Sequence, residues 1–194
     1  MTTVLKLGGS VITEKDRAET LDGPALDAAA DAIADALASD AVERLVIVHG
    51  GGSFGHHHAD AHGVSTTDGT TDHVAVTDVH GAMTTLNRFV HSRLHDRDVP
   101  AVPVHPLSAA SRDADGDLSL PTAQVETLLD EGFVPVLHGD GVAHADEGVT
   151  VLSGDEIVTS LAASVDADRV GLCSTVPGVL DADDDVIQIV ESFD

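Results

Sequence analysis

The sequence predicts a three-layer αβα domain of the α/β class, a mainly parallel sheet sandwiched between helices, with a β-hairpin insertion. Two observations predict it. Short apolar runs that end in glycine or polar residues alternate along the chain with stretches whose apolar residues recur every three or four positions. The 194 residues, 42% hydrophobic, suffice for one core and would crowd two, and no linker or internal repeat divides them, so residues 1–194 are expected to form a single domain.

Thr3-Val4-Leu5-Lys6-Leu7 reads as a first strand that ends at Gly8-Gly9-Ser10. Leu26, Ala29, Ile33 and Leu37 then mark a helix, with Asp22 as N-cap and Pro24 in the first turn. Arg44 to Val48 is the second strand and runs into HGGGSFGHHH; residues 56–72 are polar and threonine-rich, without an apolar helical stripe. Val76, Val79, Met83, Leu86 and Val90 lie on one face of a long helix starting near His73. Ala101 to Val104 is a third strand, Thr122 to Asp130 a helix, and Phe133 to Leu137 a fourth strand ending in His138-Gly139-Asp140. Val149 to Leu152 belongs to the hairpin insertion, Gly154-Asp155 opens a helix bearing Ile157, Val158, Leu161 and Val165, and Val170 to Cys173 is a fifth core strand, with its thiol packed inside. A last hairpin is expected from Val179-Leu180 and Val186 to Val190.

Charge narrows the function. With 34 acidic and 9 basic side chains the formal charge is −25, which repels nucleic acid and anionic membranes. The acids are spread along the chain, as in proteins that work in molar salt, where the Debye length falls to about 3 Å; the composition reads as halophilic. No run of about eighteen apolar residues and no basic, cleavable leader occurs, so a soluble cytoplasmic protein is expected. The single cysteine excludes internal disulfides and multi-cysteine zinc sites. A chain this poor in lysine keeps just two, Lys6 and Lys15, both beside Gly8-Gly9. Their position points to a role that arginine does not fill.

Three chemistries compete for the glycine loops. Gly50, Gly52 and Gly55 satisfy G-x-G-x-x-G, but a dinucleotide unit needs an apolar helix directly afterwards and an acid ending the next strand. His56, His57, His58 and His62 could hold a metal, yet no glutamate or further carboxylate spacing completes a site, so no metal ligands are assigned, and His57, His58 and His62 read as solvated or core histidines. The remaining reading joins Gly8-Gly9 to Gly50-Gly51-Gly52: backbone N–H groups in side-chain-free loops, backed by a helix N-terminus, bind phosphate without net positive charge.

The stretches LKLGGSVIT with Lys15 after it, LVIVHGGGSFGH, FVPVLHGDGV, LSGDEIV and VPGVL, running from residue 3 to about residue 180, resemble the amino acid kinase superfamily and, within it, the isopentenyl phosphate kinases of the archaeal mevalonate route. His56 after Ser-Phe-Gly is the more specific mark; members that phosphorylate amino acids or UMP are not expected to carry it. The resemblance implies ATP-dependent conversion of isopentenyl phosphate to isopentenyl diphosphate, with Mg²⁺ carried by the nucleotide and the enzyme acting as a homodimer. It implies that Lys6, Leu7, Gly8, Gly9, Ser10 and Gly52 hold the ATP phosphates, that Gly51, His56 and Gly139 contact the acceptor phosphate, that Lys15 stabilises the transferring group, and that Asp155 orients Lys6. Phosphoryl transfer between two anions needs positioning and charge neutralisation more than acid–base chemistry, which suits that set. The helix face bearing Val76, Val79 and Met83 is the expected slot for the prenyl tail.

The chain departs from the family where Ser174 to Gly178 lacks an aspartate ahead of the VDGV-like motif. It also ends at Asp194, before the family's Gly-Gly-Met…Lys segment, so it is expected to lack the C-terminal part of the nucleotide-binding half. Alternatives are another kinase of the superfamily, a non-catalytic phosphate- or nucleotide-binding module, and a histidine metal-binding protein.

Overall fold

The structure, a computed structural model, describes residues 1–175, 178 and 186. The elements run β1 Thr2–Leu7, α1 Gly9–Ile12, α2 Gly23–Ala38, β2 Arg44–His49, α3 Gly52–His62, α4 His73–His95, β3 Ala101–Pro103, β4 Ser111–Arg112, β5 Leu118–Ser119, α5 Ala123–Asp130, β6 Val134–His138, β7 Asp140–His144, β8 Gly148–Leu152, α6 Gly154–Ser164 and β9 Arg169–Cys173. The main sheet has the order β3-β6-β2-β1-β9, and all its pairings are parallel. A second sheet, β5-β4-β7-β8, contains the expected hairpin insertion as β7–β8, with β4 and β5 added to it.

Strand alternation sorts the core into two layers. Leu7, Leu45, Ile47, Val134 and Val136 face α2, α3 and α4, where Leu26, Ile33, Phe54, Met83, Leu86 and Val90 meet them. Val4, Val46, Val48 and Leu137 face α5 and α6, meeting Val125, Leu129, Ile157, Val158 and Leu161. Burial on both faces explains the near-continuous apolar runs of the central strands. Helix starts are fixed locally: the Asp22 carboxylate accepts from Ala25 N–H at 3.0 Å with proline in the first turn, and Ser153 with Glu156 closes a capping box on α6.

The structure corrects two expectations. The polar stretch after the glycines is helical to His62: its buried residues are Gly52, Ser53, Phe54, Gly55 and Ala59, all small except Phe54, which leaves no apolar stripe, and Gly63 in the left-handed region ends it. Cys173 is exposed, and so are Val170 and Leu172 at 48% and 56%, because β9 is an edge strand among the described residues. The hairpin expected at residues 179–190 lies outside the described residues, apart from Val186.

Candidate active site

Parallel register gathers the glycine loops at one end of the sheet. Leu7 pairs with His49 and His49 with His138, so Gly8, Gly50 and Gly139 leave the sheet side by side. Gly50 N–H donates to Leu7 O at 2.9 Å and Gly139 N–H to His49 O at 3.0 Å. The first two loops then touch backbone to backbone: a Cβ on Gly9 would sit 2.1 Å from Gly52 N, and one on Gly50 2.7 Å from Gly9 N. Helices α3 and α6 begin at this junction, so their first-turn N–H groups and positive dipole ends border the same space.

That space is a cavity of about 900 Å³. Lys6, Gly8, Gly9, Ser10, Lys15, Gly51, Gly52, His56, Gly139 and Asp155 all line it. Leu7 does not: its side chain is core, and its carbonyl is taken by Gly50, which leaves it no surface to offer a nucleotide. Lys6 Nζ lies 2.5 Å from Asp155 Oδ1, with the lysine side chain 17% exposed and the carboxylate 72% exposed. Lys15, by contrast, is exposed and makes no hydrogen bond or ion pair to a described residue, leaving its ammonium free to meet an anion. His56 is also exposed and projects from the first turns of α3 into the cavity. Val64, Val79, Met83 and Val151 supply an apolar wall; Val76 lies instead on a separate small cavity behind Val79.

Two supports were not visible in the sequence. Thr13 Oγ1 donates to Gly9 O at 2.8 Å and accepts from Ser53 N–H at 3.0 Å, while Ser53 O accepts from Glu19 N–H at 3.1 Å. These bonds stitch the Lys15 loop to the start of α3. Beneath the cavity lies a polar floor. His80 Nδ1 donates to both oxygens of the fully buried Asp140 carboxylate at 3.0 and 2.9 Å, His105 Nδ1 donates to His138 Nε2 at 2.9 Å, and His138 Nδ1 donates to Gly139 O at 2.9 Å. No sequence signal marks these pairs, which come from separate elements.

Burial pushes His49 down to about 4 and His138 well below the usual imidazole range, so both are neutral in the folded chain. A histidine with a depressed folded-state value stabilises the fold above its unfolded value and loses that contribution as pH falls. Between pH 7 and 4.5, His49 alone should cost about 2–3 kcal/mol. Burial also raises Asp140, which offsets part of the loss at the acid end of this window. Denaturant titrations in molar KCl, where surface repulsion is screened, should show stability falling below pH 6.5; a flat profile there would contradict a buried neutral histidine floor.

The sequence model of the amino acid kinase family matches residues 1–194. The chain is 60% identical over 190 residues to isopentenyl phosphate kinase of Haloferax volcanii, covering 98% of this chain and 75% of that one. A solved isopentenyl phosphate kinase superposes with TM-score 0.84 at 31% identity, over 92% of this chain and 74% of the other. The T. acidophilum isopentenyl phosphate kinase product complex superposes with TM-score 0.78 at 27% identity, over 92% and 72%.

Proposed function

The chain belongs to the amino acid kinase family, and from that premise we propose that it transfers the γ-phosphoryl group of ATP to isopentenyl phosphate, giving isopentenyl diphosphate and ADP. The carrying observation is the backbone contact between Gly9 and Gly52, which brings two phosphate-sized glycine loops together within one cavity that also holds both lysines. Lys6, Gly8, Gly9, Ser10 and Gly52 are assigned to the ATP phosphates, and Gly51, His56 and Gly139 to the acceptor. Val79 and Met83 then flank the tail, on the apolar wall they share with Val64 and Val151.

Electrostatic stabilisation is the main resource of such a site. Lys6, held by Asp155, marks a fixed position for positive charge, and Lys15 follows the moving phosphoryl group. Mg²⁺, where bound, neutralises phosphate charge. It would be carried by the nucleotide's own oxygens; of the carboxylates lining the cavity, Asp155 is held by Lys6 and Asp140 by His80, while Asp16 and Asp60 are also present. Among the described residues no helix is long and apolar enough to cross a membrane. The proposal also carries the cytoplasmic location expected from the composition and the homodimer that the resemblance implies.

ADP release from Mg-ATP and isopentenyl phosphate in molar KCl tests the reaction; turnover on an amino acid or carbamate instead would redirect the acceptor assignment. In that assay His56→Ala is expected to raise the acceptor KM roughly tenfold to a hundredfold, the loss of one hydrogen bond to a charged group. The KM for ATP should change little. An unchanged acceptor KM would remove His56 from the site.

A further inference from the structure

We propose that His58, His62 and Asp78 form a site for one borderline divalent transition-metal ion of the zinc, cobalt or nickel class, with Glu19 holding the His58 ring. Sequence spacing alone offers these histidines no third ligand. The fold supplies it from another helix. His58 and His62 stand four residues apart on α3, so both rings project from one face. Asp78 reaches that face from α4, with Oδ2 2.9 Å from His62 Nε2. One potential ligand atom from each of the three lies within 4.8 Å of the other two. Among the described residues this is the one group of three or more metal-ligating side chains so placed.

The donor set selects the ion. Two imidazoles and a carboxylate suit zinc-like ions, whereas Mg²⁺ prefers oxygen ligands and keeps its water. The ligand atoms of a tetrahedral zinc-type site sit about 3.3 Å apart, so closing this one takes small side-chain rotations. The groups are reachable from solvent, with His58, His62 and Asp78 side chains 23%, 26% and 44% exposed. Glu19 Oε1, 2.5 Å from His58 Nε2, gives the ring a carboxylate partner of the kind that orients metal-binding histidines.

The position carries the consequence. Glu19 lies in the loop that bears Lys15, His58 and His62 follow His56 on α3, and Asp78 precedes Val79 on α4. None of the four lines the cavity, yet an ion there would tie together the three segments that form its outer wall. The site is distinct from the nucleotide's Mg²⁺ and does not depend on the acceptor assignment.

Metal-free chain in molar KCl with excess Mg²⁺, titrated with Co²⁺ and followed by visible absorption and equilibrium dialysis, is the test. One Co²⁺ per chain is expected, with the d–d bands of an imidazole-bound ion. Affinity should drop by tenfold to a hundredfold or more in His62→Ala and in Asp78→Asn, and stay unchanged in His73→Ala, whose ring is 93% exposed elsewhere. The near-isosteric Asp78→Asn keeps the test decisive should His62→Ala fold poorly. No stoichiometric uptake at micromolar Co²⁺, or uptake of unchanged affinity in a His58→Gln/His62→Gln chain, would overturn the site.

Discussion

Gly52→Ala is expected to cost the fold roughly 2–5 kcal/mol and to remove phosphoryl transfer almost entirely. Two independent penalties add. Gly52 has φ +49°, a region that disfavours an L side chain by about 1–2 kcal/mol. Its Cβ would also lie 2.1 Å from Thr13 Oγ1 and 2.7 Å from Gly9 O, and forcing extra atoms into a packed junction costs about 1–3 kcal/mol more. Activity suffers beyond stability, because any relief pushes apart the two loops assigned to the phosphates, and a displacement of about 1 Å can cost a hundredfold in rate. Gly63→Ala is the matched control: φ there is +64°, but nothing lies within 4 Å of the added carbon, so only the backbone penalty applies. Denaturant midpoints and ADP release on the folded fraction separate the two effects. A Gly52→Ala chain with wild-type kcat would show that the loop contact does not position the reactants.

The same contrast explains how much the sequence disclosed. Central strands were legible because burial on both faces writes itself as unbroken apolar runs, and α2 and α4 because their stripes are wide. Helix α3 was illegible: its packing depends on Gly55 against the Met83 side chain and on Ala59, so smallness replaces hydrophobicity as the signal. In the other direction, β9 looked like core because Val170 and Leu172 are apolar, yet strand order, which one sequence does not reveal, leaves it at an edge among the described residues. Lysine scarcity located the cavity as well as the glycine motifs did, since Lys6 and Lys15 line it beside Gly8, Gly9 and Gly50 to Gly52. Pairings such as Thr13 with Ser53, His80 with Asp140 and His62 with Asp78 join elements with no local pattern to announce them.

Lys15→Ala should lower kcat by about 10²–10³-fold while leaving the KM for isopentenyl phosphate within a few fold, the signature of an interaction made mainly in the transition state. Lys6 and Lys15 differ in the way this requires. Lys6 is pinned by Asp155, so its charge is placed before substrate arrives, whereas the Lys15 ammonium has no described partner and stands on the loop between α1 and α2. Removing Lys6 therefore does two things: it deletes a cation and leaves the Asp155 carboxylate facing the phosphates uncompensated. Lys6→Ala should be at least as damaging as Lys15→Ala, and adding Asp155→Ala to it should restore part of the loss, whereas Asp155→Ala added to Lys15→Ala should restore nothing. Ionic strength sharpens the test. At about 1 M salt the Debye length is near 3 Å, so a lysine acts only in contact with the group it stabilises, and long-range attraction does not substitute for it. Lys15→Arg keeps the charge but replaces a compact ammonium with a planar fork, and should recover a minor share of the rate. Wild-type kcat in Lys15→Ala, measured by ADP release at saturating acceptor, would take Lys15 out of the transfer step and leave Lys6 and the glycine N–H groups as the machinery.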